Sequence, residues 1–596
     1  MDLTLGVINK KQIEVDPVID ALTPTVVHIL AVRDLRVMKF PQLLLVGASV
    51  VSSMALRLDD RCNQASFSSA FANYTNMFCP NAAETAPVEI AFDAPIPSYV
   101  HGLRYVSNSF AKFQIGDGED CEQFSYYMDG YQKMNLIDFT DGAATFSSRF
   151  INSNYYELAI ENGKPIAAST FNVTNPKRRS DHFPMQNFKA CQEGNCDQAP
   201  VLTFLLPDNK TMVSSTDQSN WLVIDAEDLS TSGPVEWRDD IGSGSPAASH
   251  ALTDPTTGDL IGVTLDSNQH PMTSAHVFRI RSDAPTVREV IGVVNLSSAP
   301  SAAYMHSFGL SKSYAVVIEQ PVGISAEKLM TSEPMLDAFV FDYNETTKLH
   351  VMRLADAGGA AGAGSYVTFD AQRPFLAMHV GNTYEDVNDD GQEVLHLDVE
   401  MYSLDKDLDD PFSRLGFDNI FDPNFVPNDG NRYARITINM ANGDVNFSDL
   451  LVPDSSDGLR PYGFVKINPA FSGVRNCYAY VAKLAGAQKR QSTIKYDHCR
   501  DEVAAEWNSG DSGLFPNEMI FIGDPEGEWE DDGVLFGIVY NAKTLRSEAT
   551  FVDAGTMETL AVAETPFRVP WPLHGEAFPI PSKSPSHHQG KKTSSS

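Results

Sequence analysis

Four of the chain's 14 histidines share one kind of setting. His250 stands in Ala248-Ser249-His250-Ala251, just ahead of the turn Asp254-Pro255-Thr256-Thr257-Gly258. His306 opens His306-Ser307-Phe308-Gly309-Leu310, and His379 lies in Met378-His379-Val380-Gly381-Asn382. His574 lies in Pro570-Trp571-Pro572-Leu573-His574-Gly575. Each falls at the end of a strand-like run among small or apolar neighbours. Imidazole is the commonest protein ligand for transition metals, and imidazoles on separate strands can converge at one end of a closed β structure. Taken singly, each reads as a hydrogen-bonded core or surface histidine. Position alone does not separate these four from the rest.

The elements that would carry them are strands. Beyond residue 80, short apolar or alternating runs recur, such as Leu260 to Leu265, Tyr314 to Ile318 and Val534 to Tyr540. Each is bounded by turn chemistry: Asp254-Pro255, Asn388-Asp389-Asp390-Gly391, Asp531-Asp532-Gly533. Many strands without alternating helices predict an all-β fold closed against exposed edges: a barrel, a sandwich set or a propeller. No clean repeat of about 40–50 residues points to an ordinary propeller. The expected organisation is an N-terminal extension over 1–60, one large domain over 61–581, and a disordered polar tail over 582–596. Ala355 to Gly364 reads as a flexible loop within that domain.

Composition narrows the partners. With 44 basic and 78 acidic residues the net charge is −34, which repels phosphate backbones and excludes nucleic acid. Phe40 to Leu56 carries no charge and ends in Ser53-Met54-Ala55. This is the layout of a secretory signal peptide over 38–55, with Met38 as its natural start; a signal anchor or a buried helix are the other readings. Six Asn-x-Ser/Thr sequons (Asn73, Asn172, Asn209, Asn295, Asn344, Asn446) agree with secretory entry. So do three short-range cysteine pairs, Cys62/Cys79, Cys191/Cys196 and Cys477/Cys499, although spacing alone does not fix pairing. A plastid reached by the same pathway is the alternative, because Ser69-Ala70-Phe71-Ala72 follows the apolar run.

The histidine segments, with Met128-Asp129-Gly130, Ser148-Arg149-Phe150, Glu319-Gln320-Pro321 and Asn382-Thr383-Tyr384-Glu385-Asp386, resemble the carotenoid cleavage oxygenase (retinal pigment epithelial membrane protein) family from about Gly102 onward. The resemblance implies a seven-bladed β-propeller capped by a dome of loops and short helices. It selects His250, His306, His379 and His574 as ligands of a non-haem Fe(II). The implied activity is dioxygenase cleavage of a carotenoid or apocarotenoid by O2, giving two carbonyl products. An apolar polyene requires an apolar tunnel and suggests a peripheral membrane contact for its uptake. Metal-bound histidines are normally oriented by carboxylates that accept the other ring N–H. The family pattern has three such glutamates. Glu518 matches the one expected to serve His574, and Asp217 stands where a glutamate for His306 is expected. At the third place Gly463 stands instead. His379 is therefore left to a water, a backbone carbonyl or a carboxylate from another segment, and is expected to be the least firmly held. This departure supports an alternative: a degenerate propeller that binds or isomerises carotenoids without cleaving them.

Two other motifs are decoys. Gly510-Asp511-Ser512-Gly513 with Thr273-Ser274-Ala275-His276 imitates a serine-protease pair, but Leu514 breaks the nucleophile loop. Asp386-x-Asn388-x-Asp390-Gly391 begins like a calcium loop, yet Leu397 stands where a bidentate glutamate is required, so a hairpin turn is expected.

Overall fold

Strands whose two faces both meet other sheets need apolar residues at every position, and those at the rim need only alternation. Both patterns occur. Leu260–Leu265 is buried throughout, whereas Val445–Leu451 alternates half-buried with exposed positions over its first four residues. The computed structural model describes residue 62 and residues 74–579, except 116–121, 141–142, 164–196, 199–200, 243–244, 267–271, 298–301, 326, 329–334, 355–364 and 511. The signal-like segment 38–55, Cys191/Cys196, the sequons at Asn73 and Asn172, the loop 355–364 and the tail 582–596 lie outside the described residues.

Among the described residues the strands form seven antiparallel blades, so the fold is a seven-bladed β-propeller. Six begin, in chain order, with the strands Leu202–Leu205, Leu252–Thr253, Gly309–Leu310, Phe375–Val387, Tyr462–Lys466, and Leu514–Phe515 with Ile520–Gly523. The remaining blade, counted here as the first, joins both ends of the domain. Its strands Thr85–Ile90, Ala144–Phe150, Tyr131–Asp138 and Leu103–Lys112 are completed by Pro572–Pro579, which pairs Gly575 with Ser107 and Pro579 with Leu103. Closing the ring in this way removes the open edge that a linear array of sheets would leave.

The core is distributed between blades. Tyr105 and Ile137 of the first blade pack with Phe536 and Phe551 of the seventh; Tyr433 of the fifth packs with Val481 and Tyr496 of the sixth. Each fully buried side chain of this kind contributes roughly 1.5–3 kcal/mol. The leading strands of neighbouring blades also touch: Phe375–Val387 lies against Tyr462–Lys466, and Ile520–Gly523 against Pro572–Pro579. Side chains at their ends therefore meet around the axis. Over them sits a cap with a small sheet of Ala302–Ala303, Val322–Ile324 and Phe339–Phe341 and a short helix at Phe417–Ile420. Tyr304, Phe339, Tyr402 and Phe412 join the cap to the propeller.

The hairpin from Phe375–Val387 to Glu393–Ser403 turns at Asn388, whose side chain accepts from the Asp390 and Gln392 N–H groups. Ser512 donates to Asn508, beside the seventh blade, while His276 faces Asp266 at 3.7 Å in the third. The protease-like fragments do not meet.

Candidate metal centre

The four histidines arrive from four blades. His250 precedes Leu252–Thr253, His306 precedes Gly309–Leu310, His379 lies within Phe375–Val387, and His574 lies within the closing strand Pro572–Pro579. One ring nitrogen of each lies within 4.8 Å of the others. His306 Nε2 is 3.3 Å from both His250 Nε2 and His379 Nε2, and the His250 and His574 rings are 4.6 Å apart.

The opposite nitrogens fix the tautomers. His306 Nδ1 meets Asp217 Oδ1 at 2.8 Å, and His574 Nδ1 meets Glu518 Oε1 at 2.9 Å. His379 Nδ1 meets Glu400 Oε2 at 2.5 Å. An imidazole that donates from Nδ1 to a carboxylate presents a bare lone pair at Nε2. In His306 and His379 two such lone pairs face each other at 3.3 Å, which is repulsive unless a cation lies between them. Donors bound at about 2.1 Å around one ion lie roughly 3 Å apart when adjacent, so the spacing suits a transition metal. Burial, then the neighbouring imidazoles, holds His250 and His574 far below the usual imidazole pKa and therefore neutral, the form that ligates. Among the described residues no carboxylate pairs with His250.

Each carboxylate has further support. Asp217 accepts from the Tyr304 hydroxyl at 3.2 Å. Glu400 Oε1 accepts from Tyr402 at 2.7 Å, and its Oε2 from the Phe464 N–H at 3.3 Å. Glu518 Oε2 accepts from the Gly575 N–H at 2.7 Å, while its Oε1 lies 3.2 Å from the Lys466 ammonium. Burial works against that ammonium, but Glu518 and Glu576 outweigh it and raise the Lys466 pKa overall. The Phe464 ring covers the group, 5.4 Å from His379 and 5.2 Å from His574, with Trp571 at 5.9 Å behind it. Trp571 also lines a small cavity of about 50 Å³ with Tyr74, Phe78, Ile420 and Phe425.

Sequence reasoning missed Glu400, Lys466, Tyr304, Tyr402 and Phe464. It also ranked His379 as the least firmly held ligand, and this is corrected: its carboxylate contact is the shortest of the three. The cause is register. From Val387↔Glu393 to Asn382↔Asp398 the hairpin pairs evenly, and continuing that count sets His379 opposite Met401. Two bulges, between Asn382 and Val380 and between Val380 and Ala377, shift the pairing to Ala377↔Met401 and bring Glu400 alongside His379. The count from the Asn388 turn would have found a carboxylate only one position away.

The seven-bladed ring with four imidazoles at its axis defines the class of protein. The chain belongs to the family described as retinal pigment epithelial membrane protein, whose model matches residues 78–578. It is similar to carotenoid cleavage dioxygenase 8 homolog A, chloroplastic, of Oryza sativa subsp. japonica (24% identical over 492 residues, 82% of this chain and 84% of that protein). It is also similar to carotenoid cleavage dioxygenase 8, chloroplastic, of Arabidopsis thaliana (25% identical over 513 residues, 82% and 83%). Its fold matches cobalt-substituted Synechocystis ACO, an apocarotenoid oxygenase, with a TM-score of 0.69 at 18% identity, covering 86% of this chain and 99% of that one.

Proposed function

We propose that this chain is a carotenoid oxygenase that holds one Fe(II) on His250, His306, His379 and His574 and cleaves a double bond of a carotenoid or apocarotenoid. One observation carries the reading: four inward-facing imidazoles, three of them fixed by buried or half-buried carboxylates. The names of the similar plant proteins support the substrate class. When bound, Fe(II) would supply the dioxygen chemistry, in which one C=C and one O2 become two C=O groups.

The chain's own residues do the rest. Asp217, Glu400 and Glu518 hold the Nδ1 protons of their histidines, which keeps each Nε2 bare and aimed inward. Phe464 and Trp571 form an apolar wall that keeps water from the rings and gives a polyene a surface to lie on. The rival reading of a propeller without cleavage rested on Gly463, and Glu400 now supplies the carboxylate that Gly463 lacks. A plastid reached through the secretory pathway is the proposed compartment. It is supported by the chloroplastic relatives and by Cys62–Cys79 and Cys477–Cys499, both at disulfide distance. N-terminal sequencing of the native protein tests it.

The activity is tested by incubating iron-loaded protein with carotenoids and apocarotenoids under 18O2. The expected products are two carbonyl fragments carrying label. An unlabelled isomer, or unchanged polyene across the panel, would refute cleavage.

A further inference from the structure

Glu400 and Gly463 lie on different blades, yet they contest one volume. A Cβ built on Gly463 would stand 3.0 Å from both Glu400 carboxylate oxygens and 3.1 Å from Cδ. Glu400 has little room to retreat. It is 4% exposed, and His379 and Tyr402 hold its two oxygens, with the Phe464 amide sharing one of them. Nor is glycine at 463 required by its backbone, because its φ lies outside the left-handed region in which ten other glycines among the described residues are found. The missing side chain is itself what the site uses. The next residue, Phe464, does take a left-handed φ of 52°. That conformation costs a non-glycine residue about 1–3 kcal/mol and persists only where its surroundings over-determine it. Here the Glu400 carboxylate takes its N–H, and its ring rests on His379, His574 and Trp571.

We propose that Glu400, admitted by the absent side chain of Gly463, is the positioning residue for both His379 and Phe464, and that positions 400 and 463 are interchangeable sources of a single carboxylate. The proposal rests on the metal-centre reading above. Its geometry is specific. A glutamate's two bonds of about 1.5 Å meet at a tetrahedral angle and set its carboxyl carbon about 2.5 Å from its Cβ, about 0.6 Å short of the 3.1 Å that separates the Gly463 Cβ position from the present Glu400 carboxyl carbon. A glutamate at 463 would therefore offer its carboxylate in the same volume once Glu400 is truncated, with a shift of about 0.6 Å or more for His379 to follow.

The test uses the full chain loaded with cobalt(II), followed by its visible ligand-field absorption and its rate of loss to a chelator. Melting of the apo forms reports folding. Glu400→Ala should speed cobalt loss by roughly 10–100-fold and change the absorption. Gly463→Ala should act in the same direction by a smaller factor, because its methyl group obliges the carboxylate to shift by a few tenths of an ångström. The double variant Glu400→Ala/Gly463→Ala should be no worse than Glu400→Ala alone. The swap Glu400→Ala/Gly463→Glu should recover both the slow loss and the parental absorption. Gly463→Ala that holds cobalt as the parent does would overturn the proposal, as would multiplicative effects in the double variant. A folded swap no better than Glu400→Ala would also overturn it. If the swap does not fold, the Ala cycle decides. A parent that takes up no cobalt would refute the centre itself, and the proposal with it.

Discussion

His574 and His379 are both held by buried glutamates, and the two glutamates differ in how they arrive and how they are kept. Glu518 crosses from the seventh blade to reach His574 on the first, and shares its Oε1 with the Lys466 ammonium. Glu400 stays within the blade of His379 and is kept by a hydroxyl and a backbone amide. Burial pushes the Glu518 carboxyl up, and Lys466 only partly offsets this; the same burial at Glu400 is outweighed by His379 and Tyr402, which leave its pKa below the usual value. What an imidazole requires is an acceptor at a point in space. The fold can supply that point from either side, provided the other side leaves room.

Removing a ligand should matter more than removing either support. His306→Ala is expected to lose iron and turnover beyond the roughly 100-fold that loss of an orienting partner brings, as read by metal content per chain and product formation. If the two supports are equivalent, Glu400→Gln and Glu518→Gln should each lower iron retention by roughly 10–100-fold and agree within about threefold. A harmless Glu400→Gln would break the equivalence. Asp217→Asn should fall short of both, because the Asp217 side chain is 28% exposed and water can take its place.

The pH response should come from the histidines themselves. His250 and His574 are held far below the ordinary value of 6.5, so above that pH both the folded and the unfolded chain carry them neutral. As pH falls below 6.5 the unfolded chain takes up protons that the fold refuses, and the metal-free protein should lose stability progressively. Denaturant melts between pH 7 and 5 check the slope. At the Cys477–Cys499 hairpin the effect should fall on stability and leave the metal alone. The Cys477–Cys499 bridge closes a span of 22 residues across one hairpin, so Cys477→Ser should cost about 3 kcal/mol in melting without moving metal retention.

These contrasts follow what could be read in the chain. The strands announced themselves through Leu260 to Leu265 and Val534 to Tyr540, and hairpins turn at Asp254-Pro255 and Asn388 to Gly391. The blade count did not, because no repeat is visible when one blade opens with a two-residue strand and another with a 13-residue one. The four histidines, Asp217 and Glu518 carry local motifs. Glu400 carries none: its role depends on two bulges and on the absence of a side chain at Gly463, neither of which is a pattern along the sequence. Lys466 was visible beside Gly463, but its burial against Glu518 and Glu576 is a product of blade packing.

The central claim is that four imidazoles hold one metal while the carboxylates hold the imidazoles. X-ray absorption at the iron edge of the stoichiometrically loaded chain tests it most directly. Scattering from four imidazole rings per iron is expected, unchanged in ligand type when Glu400 or Glu518 becomes Gln. An inner shell dominated by carboxylate oxygen, or one that loses a carboxylate donor in either variant, would contradict it.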